Sequence, residues 1–491
     1  MLSAGFTVLG EEGAPPSPGK SWLPPHLDEY EKELAKQNHH AEGEASQAAV
    51  DSTKVYDLPA LIDIAERNNP EARAAWELAR QAADAVGLSK SVYFPYLAAS
   101  AVAGYERAFI PFPALQVGPG PTDVSIKGGG TLTTEATAEG ATLNLKWLLF
   151  DFGERKATTV AARERLMAAN VSFNAVHQEI AFEVTRHFYE FDAARQKVVA
   201  AETALQSAQT VAEAAQMRLT NGLATLPEVL QANQQTAQAS FELEAARGEL
   251  SDVQVVLVES LGLLPTTPLQ VSEMPEKPAL NNVDESIDEL IYRALSQRPD
   301  LVAKLANVRA SRAEVQKARS AYYPKISLGA NAGISELDVS ANSSPYFGGN
   351  EPVYGVGIGI ELPIFDGFAR AKKLRMAESE LRAAESELAG SRDGVVREVW
   401  KAYTDFKTAL HKREAAERLL TASQSAFDAA LEAYRQGLGT YVEVVNGQRN
   451  LAAARSVMVD TRAAIFTSQT ALALSIGDLA KPAPTTASFQ R

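Results

Sequence analysis

The chain has 491 residues, 22% charged and 46% hydrophobic, enough for a large core or several domains. Its net charge of −14 argues against nucleic acid or anionic lipid headgroups as principal partners, and no apolar run is long enough for a membrane-spanning helix. With no cysteine, disulfides, thiolate metal ligands and thiol nucleophiles are excluded.

Residues 1–55 are rich in Pro, Gly, Glu and Gln and cannot bury a core, so they read as a tail or wrapping arm. The opening MLSAGFTVLGEEG lacks a basic n-region and has only a short apolar run, so it is a poor secretory signal. Without Cys this chain also offers no residue for N-terminal lipidation. His39 and His40 are adjacent, point apart and read as a solvated pair.

From Leu58 the apolar residues take helical spacing, with Leu58, Leu61, Ile62 and Ala65 on one face. Asn69-Pro70 ends that helix, and a second runs from Glu71 to about Lys90. Tyr93-Phe94-Pro95 stops it and turns the chain into an extended segment. The second half repeats this order. Ile287, Leu290, Ile291 and Ala294 form the matching face, Pro299-Asp300 the break and Tyr322-Tyr323-Pro324 the exit. Pro70 to Pro299 and Pro95 to Pro324 are both 229 residues apart. Asp151 to Asp366, Gly222 to Gly437 and Gly262 to Gly477 are all 215 apart. The first half therefore carries 14 extra residues between Pro95 and Asp151, where PFPALQVGPGPTD and Gly128–Gly130 read as loop. A tandem repeat follows: 56–282 and 283–480, with a C-terminal tail 481–491.

Between these anchors the period changes to two. Ile326, Leu328, Ala330, Ala332 and Ile334 share one face, and Ser327, Gly329, Asn331, Gly333 and Ser335 the other. Tyr354, Val356, Ile358, Ile360 and Leu362 alternate with Val353, Gly355, Gly357, Gly359 and Glu361. In the first half Leu143, Leu145 and Trp147 oppose Thr142, Asn144 and Lys146. Each half thus holds a hairpin of strands about ten residues long, within 96–150 and 325–364. On alternation alone these strands fit a membrane β-barrel or a soluble sheet with one face on a core. The flanking helices are committed elsewhere and leave no second layer, which favours the barrel.

After Asp151 and Asp366 come helices of roughly 60 residues, reaching about 90 Å. One carries the face Phe173, Val176, Ile180, Val184, Phe191, Val198, Leu205, Ala208, Ala212, Ala215 and Leu219. The other carries Leu374, Ala377, Leu381, Ala384, Leu388, Val395, Val399, Phe406, Leu410, Leu420, Phe427 and Leu431. Such rods pack side by side as coiled coils, and their many Ala positions allow close approach. RLTNGLATLPEVLQ and YRQGLGTYVEVVN are the reversals, each with a glycine where an Ala-rich helix needs backbone freedom. Gly222, Leu223, Thr225 and Glu228 align with Gly437, Leu438, Thr440 and Glu443. The return helices begin near Thr225 and Thr440 and end at Leu261-Gly262 and Ile476-Gly477.

From Leu58 to about Leu479 this order resembles the TolC family of outer-membrane efflux channels. The carrying motifs are the tandem repeat, the Asn-Pro and Arg-Pro-Asp breaks, and the Phe-Pro and Tyr-Pro strand entries. LLFDFGER and LPIFDGFAR at the strand-to-helix junctions and the two Gly-Leu tips complete the set. The resemblance implies a mixed α and β membrane protein and a homotrimer, each protomer giving four strands to one outer-membrane β-barrel. Its helices would form a long periplasmic α-helical barrel of coiled-coil hairpins. It further implies a passive exit duct of a tripartite efflux or type I secretion system. An adaptor and, through it, an inner-membrane transporter would hand over small molecules or polypeptides. The implied partners include outer-membrane lipid and no nucleic acid.

Carried over by position, the family's pore constriction falls on Tyr434, Glu443 and Asn446, with Glu228 the equivalent on the first tip. Three Glu443 side chains would form a ring favouring cations. Asn446 stands where a second acidic position belongs, leaving one charged ring rather than two. Read without the resemblance, Glu443 is an acidic residue in the first turn of a helix, where the macrodipole favours it. Gly222, Leu223, Thr225, Gly437, Leu438 and Thr440 match the adaptor-contacting turns; the glycines are equally what any such turn requires.

His177 and His187 lie on different helix faces, so shared metal ligation is not expected. Gly128–Gly130 is followed by no Lys-Thr and opens no helix, so it is no phosphate cradle. No catalytic arrangement, cofactor or metal site is read from the sequence. The alternatives are a soluble coiled-coil scaffold and a periplasmic adaptor-like protein, neither with a pore.

Overall fold

The computed structural model describes residues 53–111, 131–275, 285–342 and 344–479, together with 27, 29–34, 36, 50 and 51. His39, His40, the 112–130 insertion with Gly128–Gly130 and the 480–491 tail lie outside the described residues, as does most of the 1–55 arm. In chain order the elements are β1 (Val55–Tyr56), α1 (Leu58–Asn68), α2 (Pro70–Ser91), β2 (Tyr96–Pro111) and β3 (Thr131–Phe150). Then come α3 (Glu154–Thr220), α4 (Leu226–Ser260), β4 (Gln270–Val271), α5 (Ile287–Gln297) and α6 (Pro299–Ser320). The chain closes with β5 (Lys325–Ala341), β6 (Ser344–Glu361), α7 (Ala369–Arg435) and α8 (Tyr441–Ile476). Paired helices match in length: 11 and 11 residues, 22 and 22, 67 and 67, 35 and 36.

Local chemistry accounts for the boundaries. Asp57 caps α1, its Oδ1 accepting from the Ala60 N–H at 3.1 Å. Pro70 and Pro299 occupy the first positions of α2 and α6, where their missing N–H is harmless. At the strand-to-helix junctions two consecutive residues take positive φ: Phe152 and Gly153 in the first half, Gly367 and Phe368 in the second. Phe in that region is strained, and each junction is secured by the same bond. Arg155 Nε donates to Asp151 Oδ2 at 3.0 Å, and Arg370 Nε to Asp366 Oδ2 at 2.9 Å.

By contacts, the described residues divide into two compact units, each drawing on both halves of the sequence. The first takes in the described residues up to Ala74, within Val176–Ser296 and from Val396 onward; the second takes in those within Ala75–Ala175 and Gln297–Val395. In the first unit Leu61 and Ala65 of α1 pack with Ile180, Val184, Phe188 and Tyr189 of α3, Val258 of α4 and Phe466 of α8. Tyr189 stacks on Phe466 with ring centroids 4.8 Å apart. Each such buried aromatic contributes about 2–3 kcal/mol. β1 and β4 pair in parallel in this unit. Asp192, 1% exposed and bonded to Arg195, lies off the apolar stripe read from the sequence.

The second unit holds an antiparallel sheet of order β2-β3-β5-β6. Its register joins Leu97–Leu145–Ala330–Val356 and Ala99–Leu143–Ala332–Tyr354 on one face. Ser100–Thr142–Gly333–Val353 and Ala98–Asn144–Asn331–Gly355 lie on the other. Tyr354, Val356, Ile358 and Ile360 are all exposed. The expectation of strands about ten residues long is corrected: they run to 16, 20, 17 and 18. Antiparallel pairing continues wherever a partner backbone is present, whatever the side chains, so the polar stretches TLTTEATAEG and SELDVSA extend the ladder. The long helices likewise have 67 residues rather than roughly 60.

Candidate functional site

The hairpin tips of the first unit bring most of the sequence-singled residues together. Both long helices end in a Schellman turn. Leu223 N–H donates to Arg218 O at 2.8 Å and Gly222 N–H to Leu219 O at 3.0 Å. Leu438 N–H donates to Ala433 O at 2.9 Å and Gly437 N–H to Tyr434 O at 3.0 Å. Gly222 has φ +69° and Gly437 φ +78°, the left-handed region that favours glycine. These turns project Leu223 and Leu438 outward, 67% and 81% exposed. Met217, Leu226, Leu230 and Val442 extend that apolar exposure.

The two return helices start differently. Thr440 and Glu443 form a full capping box: Thr440 N–H donates to Glu443 Oε2 at 2.8 Å and Glu443 N–H to Thr440 Oγ1 at 3.3 Å. Thr225 makes no side-chain cap; its hydroxyl instead donates to Glu228 Oε1 at 3.2 Å. Glu443 and Asn446 are exposed one turn apart on α8, while Glu228 is half-buried. Glu443 is thus both an exposed carboxylate and half of a helix cap.

Beneath the tips lies a core of Val211 and Ala215 from α3, Val229 and Ala232 from α4, Phe427 and Tyr434 from α7, and Tyr441, Val444 and Leu451 from α8. Tyr434 is 1% exposed, so it is enclosed among the four helices. It bears on any constriction through the groups it holds. Its hydroxyl donates to Glu228 Oε2 at 3.5 Å, and its carbonyl accepts from Arg218 Nη1. The Arg218 guanidinium lies 4.5 Å over the Tyr434 ring, and Nη2 donates to Leu223 O at 3.2 Å. Burial, reinforced by the Glu228 charge, raises the Tyr434 pKa, with Arg218 opposing. Tyr441 is pushed up to about 12, chiefly by burial and then by Tyr434. Among the described residues its hydroxyl has no hydrogen-bond partner.

Arg218 was not legible as a site residue. The only signal is asymmetry: the position 215 residues on is Ala433, so the Arg belongs to one tip alone. Gly447 marks another close approach, since a Cβ there would lie 3.2 Å from Phe427 Cα. His177 Nδ1 faces Glu66 Oε1 at 3.4 Å, and His187 faces Glu183 on its own helix at 3.6 Å. Among the described residues no helix is long and apolar enough to cross a membrane.

The family profile described as outer membrane efflux protein matches residues 61–263 and 290–478. The chain is 27% identical over 420 residues to protein CyaE of Bordetella pertussis, spanning 86% of this chain and 84% of CyaE. It is 24% identical over 355 residues to the cation efflux system protein CusC of Escherichia coli, spanning 71% and 74%. The solved structure of the outer membrane protein VceC from Vibrio cholerae superposes with a TM-score of 0.66. That match has 21% identity and covers 86% of this chain and 96% of VceC.

Proposed function

This chain belongs to the outer membrane efflux protein family, and from that premise we propose that it works as a homotrimer forming the exit duct of a tripartite assembly. The family is one of outer-membrane channels that reach into the periplasm, not of enzymes. Each protomer gives β2, β3, β5 and β6 to one shared barrel, and its four long helices to a periplasmic α-helical barrel built from the tandem repeats 56–282 and 283–480. Transport is passive. Small molecules or polypeptides enter from an inner-membrane transporter through a periplasmic adaptor, and no step needs a cofactor.

The observation that carries this reading is the sheet. Its apolar face is exposed, and among the described residues both edge strands, β2 and β6, pair on one side only. Edges of 16 and 18 residues with apolar faces would aggregate in water. Closing them against further copies inside lipid satisfies backbone and side chains together.

At the helix tips, Gly222, Leu223, Thr225, Gly437, Leu438 and Thr440 form the adaptor-contacting surface, supported by the exposure of both leucines. Glu443 and Asn446 line the constriction, supported by their exposure on one turn of α8. Glu228 and Tyr434 belong to the same gate, Tyr434 by holding Glu228. The 1–55 arm and the 481–491 tail lie outside the two repeats.

The reading is tested by mass measurement in detergent and by current across a planar bilayer. A trimer that inserts and gives stable unitary steps supports it. A monomer that stays in the aqueous fraction without detergent and passes no current overturns it in favour of the scaffold.

A further inference from the structure

Between the row Phe150–Ile326–Ile360 and the row Ala141–Ile334–Pro352, the four strands carry apolar residues on one face and small or polar residues on the other. That stretch matches the length a tilted strand needs to cross a bilayer, about ten residues. Within it stands a single charged side chain, Lys146. Its cross-strand row reads Tyr96–Lys146–Gly329–Gly357, with the apolar rows of Leu145 and Trp147 on either side pointing the other way. Lys146 therefore shares the face of Ser100, Thr142 and Asn144. There Asn144 Nδ2 donates to Ser100 Oγ at 3.0 Å and to Thr142 Oγ1 at 3.1 Å.

Two observations separate Lys146 from an ordinary surface lysine. Its row neighbours Gly329 and Gly357 have nothing within 4 Å of where a Cβ would stand, so the row offers the ammonium open space. It also has no carboxylate within ion-pair reach among the described residues. Lys325, by contrast, sits at the end of the band opposite Glu361 and is bridged to Glu154 at 2.7 Å. An unneutralised ammonium at this depth is tolerable only on a face bathed in water.

We infer that Lys146 lines the barrel lumen and sets its charge. The three copies form a cationic ring that draws anionic solutes through the outer-membrane section of the duct. This rests on the trimeric barrel proposed above. The ring is opposite in sign to the carboxylates of Glu443, so the duct carries two filters of opposite charge rather than one.

The cysteine-free chain permits a direct test. Lys146→Cys and, on the opposite face, Val356→Cys are inserted in planar bilayers and treated with a cationic or an anionic methanethiosulfonate reagent. Reaction at Lys146→Cys alone, with the cationic reagent moving the reversal potential toward anions and the anionic one toward cations, is the expected result. Lys146→Gln and Lys146→Glu should shift the reversal potential progressively toward cations. If the native protein conducts but Lys146→Cys is unreactive, or Lys146→Glu leaves the reversal potential unchanged, the inference is overturned and the channel stands. If the native protein passes no current, the barrel reading falls and this inference with it.

Discussion

The guanidinium of Arg218 lies 4.5 Å over the ring of Tyr434, joining the ends of two helices 216 residues apart in sequence. Its two terminal nitrogens donate to the carbonyls of Tyr434 and Leu223, so one side chain holds both hairpin turns. Replacing it with Ala removes a cation–π contact of about 1 kcal/mol, takes the donor from the Leu223 carbonyl and leaves the Tyr434 carbonyl with the Gly437 N–H alone, for a total of about 2 kcal/mol. Hydrogen exchange should rise at 218–228 and 434–446 together. Arg218→Lys should restore part of it, since an ammonium cannot serve both carbonyls in the planar geometry of the fork. Faster exchange at only one tip would contradict the clasp.

Tyr441 supplies a pH dependence with a definite sign. Its folded pKa of about 12 lies above the unfolded value near 10, so the folded state holds the phenolic proton more tightly. The stabilisation is fully present below pH 10 and is lost as pH rises from there toward 12. Tyrosinate absorbance at 295 nm should show this delayed ionisation, and Tyr441→Phe should reduce its amplitude by one tyrosine, Tyr189 and Tyr434 also being raised by burial. Because the hydroxyl has no partner among the described residues, the same substitution should leave stability at neutral pH unchanged or slightly improved.

Two substitutions separate the roles of Glu443. Glu443→Gln keeps an acceptor for the Thr440 N–H and removes the charge; Glu443→Ala removes both. Loss of the cap costs about 0.5–1.5 kcal/mol, so only Ala should lower the melting temperature. If the carboxylates line the constriction, both variants should weaken inhibition of the current by divalent cations. Native sensitivity in Glu443→Gln would leave the residue as a cap alone.

The two faces of β6 should respond oppositely to charge. Val356→Lys places an ammonium on the exposed apolar face, at a cost of about 2–4 kcal/mol near the bilayer midplane. Val353→Lys places it on the glycine-rich face, which the proposed barrel turns toward water. Gel mobility of unheated samples should show assembly impaired for Val356→Lys and near native for Val353→Lys. Equal impairment would mean that both faces are dry.

How much of this was legible beforehand depends on how local each cause is. Asn69-Pro70, the Gly222 and Gly437 tips and the period-two faces around Ile326 and Val353 are written within a few residues. Each acts on its own backbone, so element order and the matched hairpins were readable from spacing alone. Strand length was not. Thr131–Gly140 carries no apolar alternation and becomes strand only because β2 and β5 offer partner backbones along it.

By itself, the amino-acid order determined where the main helices and the two strand hairpins lie, where the chain reverses, and that this order occurs twice; the short pair β1 and β4 carried no such signal. Tertiary structure alone decided that Tyr434 is enclosed rather than open, that Arg218 binds one tip to the other, and that Asp192 is buried. Caps, turns and alternation arise between near neighbours and leave a pattern in the chain. Burial and long-range pairing arise from groups brought together across hundreds of residues, and no local spacing encodes them.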